Sequence, residues 1–95
     1  GIARVPRPRN LHNFLGIAHA SRERWAEAED QFKAAVAMDP SYALGYLNLG
    51  SIYFRQKRVA EAEVLWRRTL EVAPGHPAAL RHLAELEASR IEKPR

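Results

Sequence analysis

The chain has no cysteine, so neither a disulfide framework nor thiolate chemistry contributes to it. It also has no apolar run near the roughly 18 residues that a membrane-spanning helix needs, which argues against direct membrane insertion. The basic start GIARVPRPRN is not followed by an apolar stretch and does not read as a secretory signal. No glycine-rich phosphate loop, nucleophile elbow or HExxH pair occurs, and no Ser/His/Asp set falls on compatible elements. The reading is therefore no enzyme, no cofactor and no metal. A basic stripe is missing as well. The net charge is +4, but Arg4, Arg7 and Arg9 at one end and Lys93 and Arg95 at the other carry the excess. Residues 10 to 90 hold ten Lys plus Arg against ten Asp plus Glu, and a neutral body does not read as a nucleic-acid surface.

What the chain does have is repetition. AEAEDQFKAAVAMDP at 26–40 returns as AEAEVLWRRTLEVAP at 60–74, an offset of 34 residues. In that register Pro40 matches Pro74, Leu15-Gly16 matches Leu49-Gly50, and Phe32 matches Trp66, while Pro6 lies one further period upstream. Past Pro74 the pattern restarts with Leu80, Leu83 and Ala84 and ends after one helix length. A period of this size marks stacked supersecondary units.

Within each unit apolar residues recur at steps of three and four, the helical spacing. His12, Leu15, Gly16 and His19 share one face, and so do Tyr46, Leu49, Gly50 and Tyr53. Second helices carry Ala28, Phe32, Ala35 and Val36, echoed by Ala62, Trp66, Thr69 and Leu70. A glycine inside a helix costs about 1 kcal/mol against alanine, so Gly16 and Gly50 predict close helix contact, with Phe32 and Trp66 filling the seam. Pro40 and Pro74 end the units, and Ser41 and Pro77 suit the start of the next helix. The spacing predicts helices at 9–21, 25–38, 43–56, 59–72 and 77–91.

These residues resemble the tetratricopeptide repeat, with signature W-x2-L-G-x2-Y, then A-x3-F, then P. Residues 12–40 give His-x2-Leu-Gly-x2-His, Ala28-x3-Phe32 and Pro40, and residues 46–74 give Tyr-x2-Leu-Gly-x2-Tyr, Ala62-x3-Trp66 and Pro74. His12 and His19 depart from the family's aromatics, and Glu23 and Lys57 stand in turns where glycine is usual. The resemblance implies an all-α fold of antiparallel helix-turn-helix repeats stacked in a right-handed superhelix, two full repeats plus a C-terminal helix. The division is then a basic tail at 1–8 that is also read as the end of an upstream repeat, repeats at 9–42 and 43–76, a capping helix at 77–91 and a tail at 92–95.

The function this implies is non-catalytic binding of a protein or peptide, with an acidic group, in a concave groove lined by first helices. The alternative is an assembly module that self-associates through open repeat ends. The groove residues expected are Asn13, Ile17, Leu47, Asn48, Ser51, Phe54, Arg55, Arg81 and His82. Leu44 and Leu47 have an equally weighted second reading as packing residues. One branch of the family clamps a chaperone's C-terminal carboxylate. Asn48 matches its central asparagine, but Asn13, Ile17, Ala78 and His82 do not match the remaining positions, so that clamp is not expected. The close pairs Glu27/Glu29 and Glu61/Glu63 point about 200° apart on a helix and read as solvated charges at helix starts. The runs at 22–24 and 55–58 likewise read as solvated turns, and His12 and His19 as structural histidines.

Overall fold

Two turns set the geometry. At the end of the first helix, Glu23 N–H donates to the Ala20 carbonyl and Arg24 N–H to that of His19, each at 2.9 Å. One repeat later Lys57 N–H donates to Phe54 O and Arg58 N–H to Tyr53 O, also at 2.9 Å. These paired bonds are the helix-ending motif whose pivotal residue takes left-handed φ, here Glu23 at 59° and Lys57 at 66°. The two departures from glycine thus fall on the residues that most need it.

The computed structural model describes residues 8–92 as five helices with no strand among them: α1 (Pro8–Ser21), α2 (Trp25–Met38), α3 (Ala43–Arg55), α4 (Val59–Val72) and α5 (Pro77–Glu92). Pro6 and the rest of the expected tails lie outside the described residues, except that Pro8 opens α1 and Glu92 closes α5. α1 pairs with α2, α3 with α4, α2 packs on α3, and α5 packs on α4. This is an α-solenoid of stacked helix pairs, each element agreeing with the predicted helices to within one residue at either end. The start of α3 differs in its capping. Tyr42 precedes it without a side-chain cap, while Ser41 bonds back to Asp39 Oδ1 through both its N–H (3.1 Å) and its hydroxyl (2.7 Å).

The seams are built as the glycines predict. Phe32 and Trp66 are buried, and a β-carbon at Gly16 would come within 2.5 Å of the Phe32 ring. Ala28, Ala35, Ala62 and Thr69 are fully enclosed around them, with Thr69 Oγ1 donating to Leu65 O at 2.9 Å so that its hydroxyl is satisfied. Leu15 departs from expectation, being 41% exposed where its counterpart Leu49 is 4% exposed. The cause is the neighbour: α2 stands before α3, whereas no described helix stands before α1.

Of the four glutamates expected to be solvated, Glu27 and Glu61 are exposed, but Glu29 and Glu63 are not solvated charges. Glu29 of α2 accepts from Tyr53 of α3 at 2.7 Å and pairs with Lys33 at 2.8 Å. Its repeat counterpart, Glu63 of α4, accepts from Arg67 at 2.6 Å and from Arg90 of α5. The same position therefore clasps each second helix to the next first helix. Lys33 and Tyr53 lower the Glu29 pKa, whereas burial, then the bond to Glu29, pushes Tyr53 up to about 12. Arg90 and then Arg67 hold Glu63 down at about 2. In the basic run after α3, Arg55 and Lys57 are exposed as expected, but Arg58 is not left free in solvent. Arg58 stacks 4.2 Å from the Tyr53 ring centroid and pairs with Glu61 at 2.7 Å.

Candidate functional site

On the face shared by α1, α3 and α5, two cavities open side by side. The first, about 190 Å³, lies between α1 and α3 over Phe32, and Ile17, Asn48, Ser51 and Arg55 contribute to it. The second, about 740 Å³, lies between α3, α4 and α5 over Trp66, and Ser51, Phe54, Arg55 and His82 contribute to it.

The expected groove residues are distributed unequally. Ile17 and Phe54, each 46% exposed, present apolar surface. Leu47 does not: at 7% exposure it belongs to the hydrophobic core, so the expectation of an apolar anchor there is corrected and the packing reading holds. Asn13 is also buried, and its Oδ1 accepts from Asn48 Nδ2 at 2.8 Å, so the amide expected to meet a ligand ties α1 to α3 instead. Ser51 Oγ donates to the Leu47 carbonyl at 3.1 Å. Arg55 reaches back over Trp25, its guanidinium carbon 4.8 Å from the ring centroid. Arg81 is exposed and lines neither cavity.

His82 is joined to the site by stacking. Its ring lies 4.8 Å from that of Trp66 with 24° between planes, and its Nδ1 is 3.8 Å from Glu85. Phe54 also meets Trp66, with ring centroids 5.5 Å apart and 42° between planes. The floor of the larger cavity is therefore one aromatic surface made by three helices. Residue-by-residue reading missed Trp66, Val59, Leu86 and Ser89 as lining residues. For Ser89 the period carried the signal, since it stands one repeat after the expected groove residue Arg55. Among the described residues no cluster of three His, Asp or Glu could hold a metal, and no helix is long and apolar enough to cross a membrane.

Stacked antiparallel helix pairs with glycine–aromatic seams and a grooved face define a helical-repeat module. The chain belongs to the Tetratricopeptide repeat family, whose profile matches residues 2–43, 13–66 and 47–91. It is similar to a Caenorhabditis elegans protein O-mannosyl-transferase, 31% identical over 86 residues, which is 90% of this chain but 12% of that protein's length. Its fold is similar to a tetratricopeptide repeat domain protein from Salinibacter ruber, with TM-score 0.74, 27% identity and 97% of each chain covered. It is also similar to the first such domain of Spaghetti (RPAP3), bound to the HSP90 peptide SRMEEVD, with TM-score 0.77 and 25% identity over 88% of this chain and 67% of that one.

Proposed function

We propose that this domain is a non-catalytic protein-interaction scaffold that binds a peptide segment of a partner protein on the face shared by α1, α3 and α5. The observation that carries this reading is the cavity of about 740 Å³, floored by Trp66 and walled by Phe54 and Leu86. Grooves of this kind, apolar with a few polar groups at the rim, are where helical repeats and ligands meet. Arg55 and Arg81 have no carboxylate partner among the described residues, and each suits an acidic group of the ligand. The peptide complex of a similar domain supports peptides as the ligand class. The transferase activity named for the nematode relative is not carried over, because the match spans a small part of that protein. The test is to select ligands from a displayed random peptide library and map the bound site by amide shifts. Shifts on α1, α3 and α5 are expected; shifts confined to the outer faces of α2 and α4 would overturn the reading.

The exposed side chains of Leu11, Phe14, Leu15 and Met38 favour a second reading, self-association through the face that α1 leaves open. It predicts an apparent mass that rises with concentration and returns to the monomer value in Phe14→Ser/Leu15→Ser. A wild type that stays monomeric at every concentration removes it.

A further inference from the structure

The two cavities are one cavity built twice. All eight positions that line the smaller are matched, one repeat later, in the lining of the larger. Yet their volumes are about 190 and 740 Å³. Two positions of the repeat differ most between them. Where the smaller cavity has Ile17, the larger has Ser51, whose hydroxyl is turned back on its own helix. Where the smaller is lined by Arg55, whose guanidinium lies over Trp25, the larger is lined at the same repeat positions by Ser89 and Val59, and a serine has neither the reach nor the charge to form such a bridge.

We propose that the larger cavity is an anchor pocket for one bulky apolar side chain, branched aliphatic or aromatic, of a partner peptide that sets a carboxylate beside Arg55. This rests on the groove reading above and narrows it to one repeat interface. The smaller cavity shows what fits the frame: an isoleucine side chain and a long side chain lying over an aromatic ring. The larger lacks both and offers the same frame to a ligand, with the Trp66–His82 stack as its floor.

The charges around the pocket fix the acidic end. Glu85 stands near His82, Arg90 is already held by Glu63, and the unpaired Arg81 lines neither cavity, so α5 sets no open cation at the pocket itself. Arg55 lines both cavities and keeps guanidinium N–H groups for a carboxylate while stacked on Trp25. An extended peptide advances about 3.3–3.6 Å per residue, which places the acidic residue within about two positions of the anchor.

The test refines the library experiment. Peptides enriched by the wild-type domain should carry one Leu, Ile, Phe or Trp with an Asp or Glu within two positions. The enriched peptide, synthesised, is titrated calorimetrically against Ser51→Ile and Ser89→Arg, which install in this pocket the side chains of its smaller twin. Each should weaken binding about tenfold or more, the loss expected when a hot-spot pocket is filled. Residue 89 is exposed, so Ser89→Arg decides the matter if Ser51→Ile does not fold. Arg55→Ala should remove the preference for the acidic residue. Filled variants that bind as well as wild type, with shifts still on the shared face, overturn the pocket and leave the groove reading standing. An enriched motif without a bulky apolar residue also overturns it. Shifts on the outer faces, or no enriched peptide, remove the groove reading and the pocket with it.

Discussion

Trp66 lies so close against Gly50 that a β-carbon at residue 50 would stand 2.8 Å from its Cδ1 and Nε1. The indole is pinned between α3 and α4, with its buried N–H lacking an acceptor among the described residues. Alanine in place of Gly50 would gain about 1 kcal/mol of helix propensity but force a rigid ring to move, and overpacking of this kind costs about 1–3 kcal/mol. Gly50→Ala is therefore expected to be no more stable than wild type in urea denaturation, and Trp66→Ala to lose about 3–5 kcal/mol. A Trp66→Ala domain that melts like wild type would refute the helix pairing.

Glu23 and Lys57 hold left-handed backbone that L-residues adopt at a cost of about 1–2 kcal/mol, whereas glycine adopts it freely. Glycine also loses more chain entropy on folding, so Glu23→Gly and Lys57→Gly should each stabilise by about 0.5–1 kcal/mol. The gains should add, because the turns are separate. Chemical denaturation of the two single variants and the double variant checks both statements.

The Glu63 clasp gives α5 a pH dependence. Its folded pKa is depressed from the usual 4.5 to about 2 by Arg90 and Arg67. A depressed carboxylate stabilises the fold fully above its unfolded pKa and loses that contribution as pH falls through the folded value. The melting temperature of wild type should therefore exceed that of Glu63→Gln at neutral pH. The gap should close between about pH 4.5 and 2. A gap that persists unchanged at pH 2 would show that the clasp is not ionic.

The Asn13–Asn48 bond is replaced at the next interface by Leu47 and His82. Asn13→Ala should cost about 1 kcal/mol, since it strands the partner amide at a half-buried site. Asn13→Leu/Asn48→His, which copies the second interface into the first, should be less destabilised than the sum of its single changes. A double-mutant cycle in thermal or urea unfolding measures that coupling.

The groove could be read in part. Phe54 and Ile17 stand exposed on the expected face because helical periodicity alone assigns them there. Leu47, on the same face by periodicity, is enclosed because residues of neighbouring helices close over it, and nothing in its own helix records that. Trp66 was recognised as a seam residue, yet its ring also floors the larger cavity. A large side chain between two helices has two faces, and sequence spacing describes one.

The amino-acid sequence by itself determined the repeat, the five helices and the glycine–aromatic seams, because each is a pattern in which local spacing dictates which side chains share a face. Only the tertiary structure decided that Glu29 and Glu63 are clasps, that Arg55 lies over Trp25 beside the smaller cavity, and that Ser51 and Ser89 line its larger twin. Those outcomes depend on which side chains from different helices come within a few ångströms, and that distance is set by packing across the stack rather than by order along the chain.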